Sequence, residues 1–128
     1  MKKLFLIVFF MAFVSVNAYS QSKEQDDAVY SMVSEQPSFP GGMQEMMKFI
    51  SENRKYPAEA KAKDIHGKVI VAFVVERDGS LSDVKIRRGI GYGCDEEAIR
   101  VIKSMPKWTP GKQNGKAVRV SMMLPVSF

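Results

Sequence analysis

Residues 69–75, Val-Ile-Val-Ala-Phe-Val-Val, are apolar without a break. Extended, they put Val69, Val71, Phe73 and Val75 on one face and Ile70, Ala72 and Val74 on the other. A short β-branched run of this kind, bounded by Gly67 and Gly79, predicts a strand. Two apolar faces predict a central strand covered on both sides. Asp78-Gly79 follows directly and is a hairpin signal. Residues 81–88 then alternate: Leu81, Asp83, Lys85 and Arg87 share one face, and Ser82, Val84, Ile86 and Arg88 the other. That is a half-buried edge strand, whose Lys85, Arg87 and Arg88 discourage pairing with a second molecule. Residues 117–128 keep a period of two for a dozen positions. Val118, Val120, Met122, Leu124, Val126 and Phe128 form its apolar set. Pro125 has no N–H, so it belongs at a sheet edge or beyond the paired region.

Helical spacing appears in three places. Met43, Met46, Met47 and Ile50 fall at i, i+3, i+4 and i+7 after the Pro37-Ser38-Phe39-Pro40-Gly41-Gly42 turn cluster, predicting a helix over 42–53. This stripe is expected to pack on the sheet, the alternative being that its methionines form an adaptable partner surface. Pro57 suits the first position of a second short helix over 57–63, rich in alanine. Ala98, Val101, Ile102 and Met105 make the stripe of the principal helix, 95–105. Asp95 is its expected N-cap, Glu96 and Glu97 suit its positive end, and Pro106 stops it. Trp108-Thr109-Pro110-Gly111 reads as a turn with a buried anchor, and residues 112–116 as a polar, mobile loop.

The pieces predict an α+β fold: a ββαβ three-stranded antiparallel sheet in the order 2-1-3 with helices packed on it, preceded by two short N-terminal helices. The doubly apolar strand is in the middle, and the last strand is an open edge. Such an edge suits strand addition by an extended peptide, with backbone bonds giving affinity and side-chain pockets selectivity. Lys112, Lys116 and Arg119 lie near enough to steer an acidic peptide. The edge is equally open to the N-terminal segment or to a second copy of the chain, as a homodimer.

The N-terminus changes this picture only in address. Lys2-Lys3, the apolar run 4–14 and Val16-Asn17-Ala18 fit a cleaved secretory signal, with Ala18-Tyr19-Ser20 as a second site. The organisation expected is a signal peptide at 1–20, a polar tether at 21–38 that holds a short strand near 28–32, and the folded domain at 39–128. An anchor retained in the membrane is the alternative, although the run is short for a span of about 20 residues.

Charge and chemistry exclude several classes. Of 19 basic residues two are Lys2 and Lys3, and the remaining 17 face 14 acidic ones. That balance is no nucleic-acid footprint. One cysteine, Cys94, makes no internal disulfide, and with the single His66 it makes no zinc site. Cys94 is expected beneath a helix start and His66 at a turn. Gly89-Ile90-Gly91-Tyr92-Gly93 lacks the spacing and the lysine of a phosphate loop. No nucleophile–base pair or carboxylate cluster stands out beyond Asp95-Glu96-Glu97. The expectation is a binding module: no enzyme, no metal, no cofactor and no small-molecule substrate.

An ordered set of motifs adds a resemblance. Tyr56-Pro57-Ala58-x-Ala60, Gly67-x-Val69-x-Val71-x-Phe73-x-Val75 and Asp78-Gly79 come first. Asp83-Val84-x-Ile86, Trp108-x-Pro110-Gly111-Lys112 and Pro125-Val126-x-Phe128 follow. Together they resemble the TonB C-terminal domain family over residues 56–128. The Phe39-Pro40-Gly41-Gly42 lead-in resembles the stand-alone version of Bacteroidetes-type bacteria. The resemblance implies a periplasmic domain that captures the TonB box of TonB-dependent outer-membrane transporters, in support of energy-coupled transport. In the family the box pairs with the last strand and the Tyr-Pro segment lies close by. Carried over, the peptide-binding residues are Val118, Arg119, Val120, Ser121, Met122 and Met123, with Tyr56 and Pro57. The sequence departs from the full transducer in having no long Pro-rich spacer after the apolar run. Asn53-Arg54-Lys55 also stands before Tyr56 where many members carry Gln-Pro.

Overall fold

The computed structural model describes residues 28–128. The signal peptide expected at 1–20 and the first residues of the tether lie outside the described residues. The order of elements is β1 (Val29–Tyr30), α1 (Met43–Asn53), α2 (Ala58–Ala62), β2 (Lys68–Val75), β3 (Leu81–Arg88), α3 (Cys94–Lys103), β4 (Lys112–Gln113), β5 (Lys116–Ala117) and β6 (Arg119–Ser127). Four strands form the main sheet in the order β1-β6-β2-β3, and β4-β5 is a separate hairpin. β2 pairs antiparallel with both β3 and β6, while β1 runs parallel to β6.

One face of the sheet carries the core. Val69, Val71, Phe73 and Val75 of β2 join Leu124, Val126 and Phe128 with Met46 and Ile50 of α1, Ala60 of α2, and Cys94, Ala98, Val101 and Ile102 of α3. Trp108 stands edge-on to Phe73 at 5.5 Å and to Phe39 at 6.0 Å, closing the end of this layer. All three helices thus serve the same face. The second face of β2 is not roofed by a helix, against the expectation of cover on both sides: Ile70 and Ala72 are half-buried there, and Val74 is buried among neighbouring strands. Lys85, Arg87, Ser121 and Met123 line a shallow groove over that face. Lateral cover by flanking strands, not a second helical layer, is what the extra apolar positions obtain.

The Met stripe of α1 divides. Met46 and Ile50 are buried, while Met43 and Met47 are exposed. Gly41 and Gly42 enter this helix with φ of 86° and 90°, a conformation that disfavours residues with a Cβ. The N-cap of α3 lies two residues earlier than the expected Asp95. Gly93 is its N-cap, with φ 84°, and Cys94 is its first, fully buried residue. Asp95 instead turns back on the loop, accepting N–H bonds from Ile90 at 2.9 Å and Gly91 at 3.2 Å.

Residues 112–116, read from sequence as a mobile loop, form with Ala117 the β4-β5 hairpin around Asn114-Gly115, with φ of 54° and 77°. Asn-Gly is the pair such a two-residue turn requires, and it orders this polar stretch. Residues 28–38, part of the expected tether, run against the sheet. β1 lies on β6, Glu35 pairs with Lys112, and Ser38 pairs with Thr109 through two bonds of 3.1 and 2.8 Å. No helix among the described residues is long and apolar enough to cross a membrane.

Candidate functional site

The direction of every backbone group on β6 follows from one pair at its end. Gly67 and Phe128 exchange both bonds: the Phe128 N–H donates at 2.9 Å and the Gly67 N–H at 3.3 Å. Antiparallel pairs alternate between bonded and non-bonded, and the β2–β6 register is unbroken. Val126, Leu124, Met122 and Val120 therefore turn their backbone groups toward β2. Ser127, Pro125, Met123 and Ser121 turn theirs away. Pro125 sits where its missing N–H costs the ladder nothing. Val120, Leu124 and Val126 are buried, whereas Ser121, Met123, Pro125 and Ser127 are exposed.

The outer edge is shared. β1 covers its start, Val29 opposite Arg119 and Tyr30 opposite Val120. The Ser121 Oγ lies 3.5 Å from the Tyr30 carbonyl. Beyond that point no described strand lies outside β6. At the far end the Ser127 carbonyl accepts a bond from the Arg54 guanidinium, which also stacks over the Phe128 ring at 5.2 Å. Between these limits the Met123 N–H and the Met123 and Pro125 carbonyls face outward. Met47, Ile50, Ser51 and Arg54 wall a groove beside this stretch, with Pro125 and Ser127 on its other side. Met47 and Met123 are 58% and 61% exposed, so soft apolar side chains stand along the open stretch.

The segment carrying Arg54 is held from α3. The Glu97 carboxylate accepts the Lys55 backbone N–H and a forked pair of bonds from Arg100, at 2.6 and 2.7 Å. Arg100 also donates to the Asn53 carbonyl at 2.7 Å. The Arg100 hydrogen bond is the main reason the Glu97 carboxyl lies below its ordinary range.

The expected peptide-binding residues separate into groups. Val118 precedes the strand, its N–H bonded to the Gly111 carbonyl at 3.0 Å. Arg119 and Val120 lie under β1, and Ser121 adjoins its end. Met122 is half-buried against the core, leaving Met123 as the outward member. Tyr56 meets the opposite end of β6: its ring stands edge-on to Phe128 at 6.3 Å and its hydroxyl donates to the Ile65 carbonyl. Pro57 caps α2, its carbonyl accepting the Lys61 N–H at 2.9 Å.

The Arg119 guanidinium is already engaged. It is forked onto Glu76 at 2.8 and 3.2 Å, and that bond is the main cause holding the Glu76 carboxyl below its usual value. Ser51, Arg54, Pro125 and Ser127 belong to the groove without having been expected there, and Met47 joins them from the stripe that offered an adaptable partner surface. The parity of Pro125 was the available signal, since it marks which residues face outward. Among the described residues, no three His, Cys, Asp or Glu side chains gather to hold a metal.

Residues 52–128 match the family model described as Gram-negative bacterial TonB protein C-terminal. Protein TonB of Helicobacter pylori is 28% identical over 80 residues, covering 62% of this chain. The match takes in 27% of that protein, so the chain spans about a quarter of this curated relative. An NMR solution structure of the Helicobacter pylori TonB-CTD is 26% identical with a TM-score of 0.50, covering 70% of this chain and 84% of that one. A second is 24% identical with a TM-score of 0.49, covering 66% and 89%. With more than half of its residues inside the family model, the chain belongs to the TonB C-terminal domain family.

Proposed function

We propose that this domain is a non-enzymatic periplasmic module that captures the TonB box of TonB-dependent outer-membrane transporters, in support of energy-coupled transport. The box adds as a strand outside β6, and its docking place is the open stretch at 123–125 together with the groove against α1. The supporting observation is that edge itself. In a fold of the TonB C-terminal family, Met123 and Pro125 turn backbone groups outward and meet no described strand. Backbone pairing gives the affinity, and Met47 and Met123 offer apolar contact to alternate guest side chains. A guest longer than the stretch competes with Val29 and Tyr30 for the start of the edge.

The test is an NMR titration with a synthetic TonB-box peptide. Amide shifts are expected at residues 122–127 and in α1 at Met47 and Ser51. A saturating peptide that moves none of these removes the reading.

A further inference from the structure

Resting on that strand-addition reading, we infer that Arg54 makes this edge selective for an extended peptide bearing a carboxylate at the position that reaches the end of β6. Sequence offered Lys112, Lys116 and Arg119 as steering charges, and Glu76 already occupies the Arg119 guanidinium. Arg54 is the charged residue lining the groove between α1 and β6, beside Met47, Ile50, Ser51, Pro125 and Ser127. Its partners are an edge carbonyl and an aromatic ring, Ser127 and Phe128. No carboxylate among the described residues pairs with it. The carboxylates of α1 itself, Glu45 and Glu52, line the other side of that helix with Phe39 and Pro106.

A guanidinium has five N–H donors in a planar fork that matches a carboxylate. One of them goes to Ser127, an outward-facing carbonyl at which a guest ladder would continue. The remaining donors lie where a guest side chain from the last paired position arrives. The stem is half-buried against Phe128, and the backbone on either side is held by Glu97 and Arg100, so the fork is pre-organised. The partner is thus an extended peptide with apolar residues for Met47 and Met123 and one acid for Arg54.

The experiment uses ten-residue peptides of alternating Thr and Val, in which a single Glu is stepped along the chain, each beside its Gln counterpart. Binding to the folded protein is read by NMR or calorimetry. At one register the Glu peptide is expected to bind about three- to tenfold tighter than its Gln twin, a preference that shrinks in high salt. Arg54→Gln should erase the preference, and Arg54→Glu should transfer it to a Lys peptide. If Glu and Gln peptides bind the native protein alike at every register, the selectivity is overturned while strand addition stands. If no peptide binds, strand addition itself falls and the selectivity with it. The native-protein arm decides the question even where a variant folds poorly.

Discussion

Val120 and Met123 lie three residues apart on β6 with their backbones turned in opposite directions. Val120 faces Val75 of β2 within the ladder, and Met123 faces away from it. A proline therefore has opposite consequences at the two sites. Met123→Pro removes an outward N–H at the same parity as the native Pro125. It should leave the fold within about 1 kcal/mol of native and weaken peptide capture roughly tenfold. Val120→Pro removes a ladder bond next to a buried side chain and should cost about 3 kcal/mol or more. Thermal unfolding of both variants, with one peptide titration of Met123→Pro, checks the assignment; equal stability losses would contradict the derived parity.

Val29 and Tyr30 hold the start of the edge through only two paired residues. Two residues of ladder at a solvent-exposed edge open easily compared with the core strands. Tyr30→Pro removes the N–H at the centre of this pairing. Faster hydrogen exchange is expected at Ser121, with protection at Val120 and Met122 unchanged because those groups face β2. The peptide-shift window should also spread from 122–127 back to residues 119–121. Unchanged exchange at Ser121 would show that β1 does not guard that group.

How much of this was legible in the sequence depended on range. β2 was readable because seven apolar residues between glycines leave few alternatives, and α3 because its stripe is regular. The one-sided core was not readable: Ile70, Ala72 and Val74 look the same whether a helix or neighbouring strands cover them. β1 was visible only as a few apolar residues in a polar stretch, and its parallel partner lies about ninety residues away. The site was half legible. The doubly apolar β2 put β6 beside it with its outer side free, but β1 takes the start of that side, and which half stays open is decided by β1 and Arg54, both brought there by tertiary contacts. The engagement of Arg119 by Glu76 was unreadable for the same reason, since the two lie 43 residues apart in sequence.

Gly79 is fixed by a close approach. Its φ is 87°, and a Cβ there would lie 2.0 Å from the Trp108 carbonyl oxygen. The Trp108 N–H in turn donates to the Gly79 carbonyl at 2.8 Å. Gly79→Ala must distort the β2-β3 turn or push out the aromatic plug on Phe73 and Phe39, at a cost of about 2–4 kcal/mol. A chemical-denaturation midpoint lowered together with Trp108 fluorescence would report it. A native-like midpoint would mean that the turn yields without moving Trp108.

Glu97 connects stability, pH and the groove. Its carboxyl titrates below its ordinary value of 4.5, first because Arg100 hydrogen-bonds it and then because the Lys55 N–H does. The unfolded chain therefore binds this proton more readily than the folded one. The stabilisation is present above about pH 4.5 and is lost as pH falls through the lower folded value. Glu97→Gln should cost about 1 kcal/mol at pH 7, held to that size because Arg100 is 48% exposed and solvent screens the pair. The gap between variant and native protein should close as both are acidified below pH 4.5. Because the same carboxylate holds the Lys55 backbone, the variant should also loosen the Asn53-Arg54-Lys55 segment. Faster exchange at Lys55 with little change in β2 would separate that local release from general unfolding. A stability gap that stays constant from pH 7 to pH 3 would place the effect on packing and not on charge.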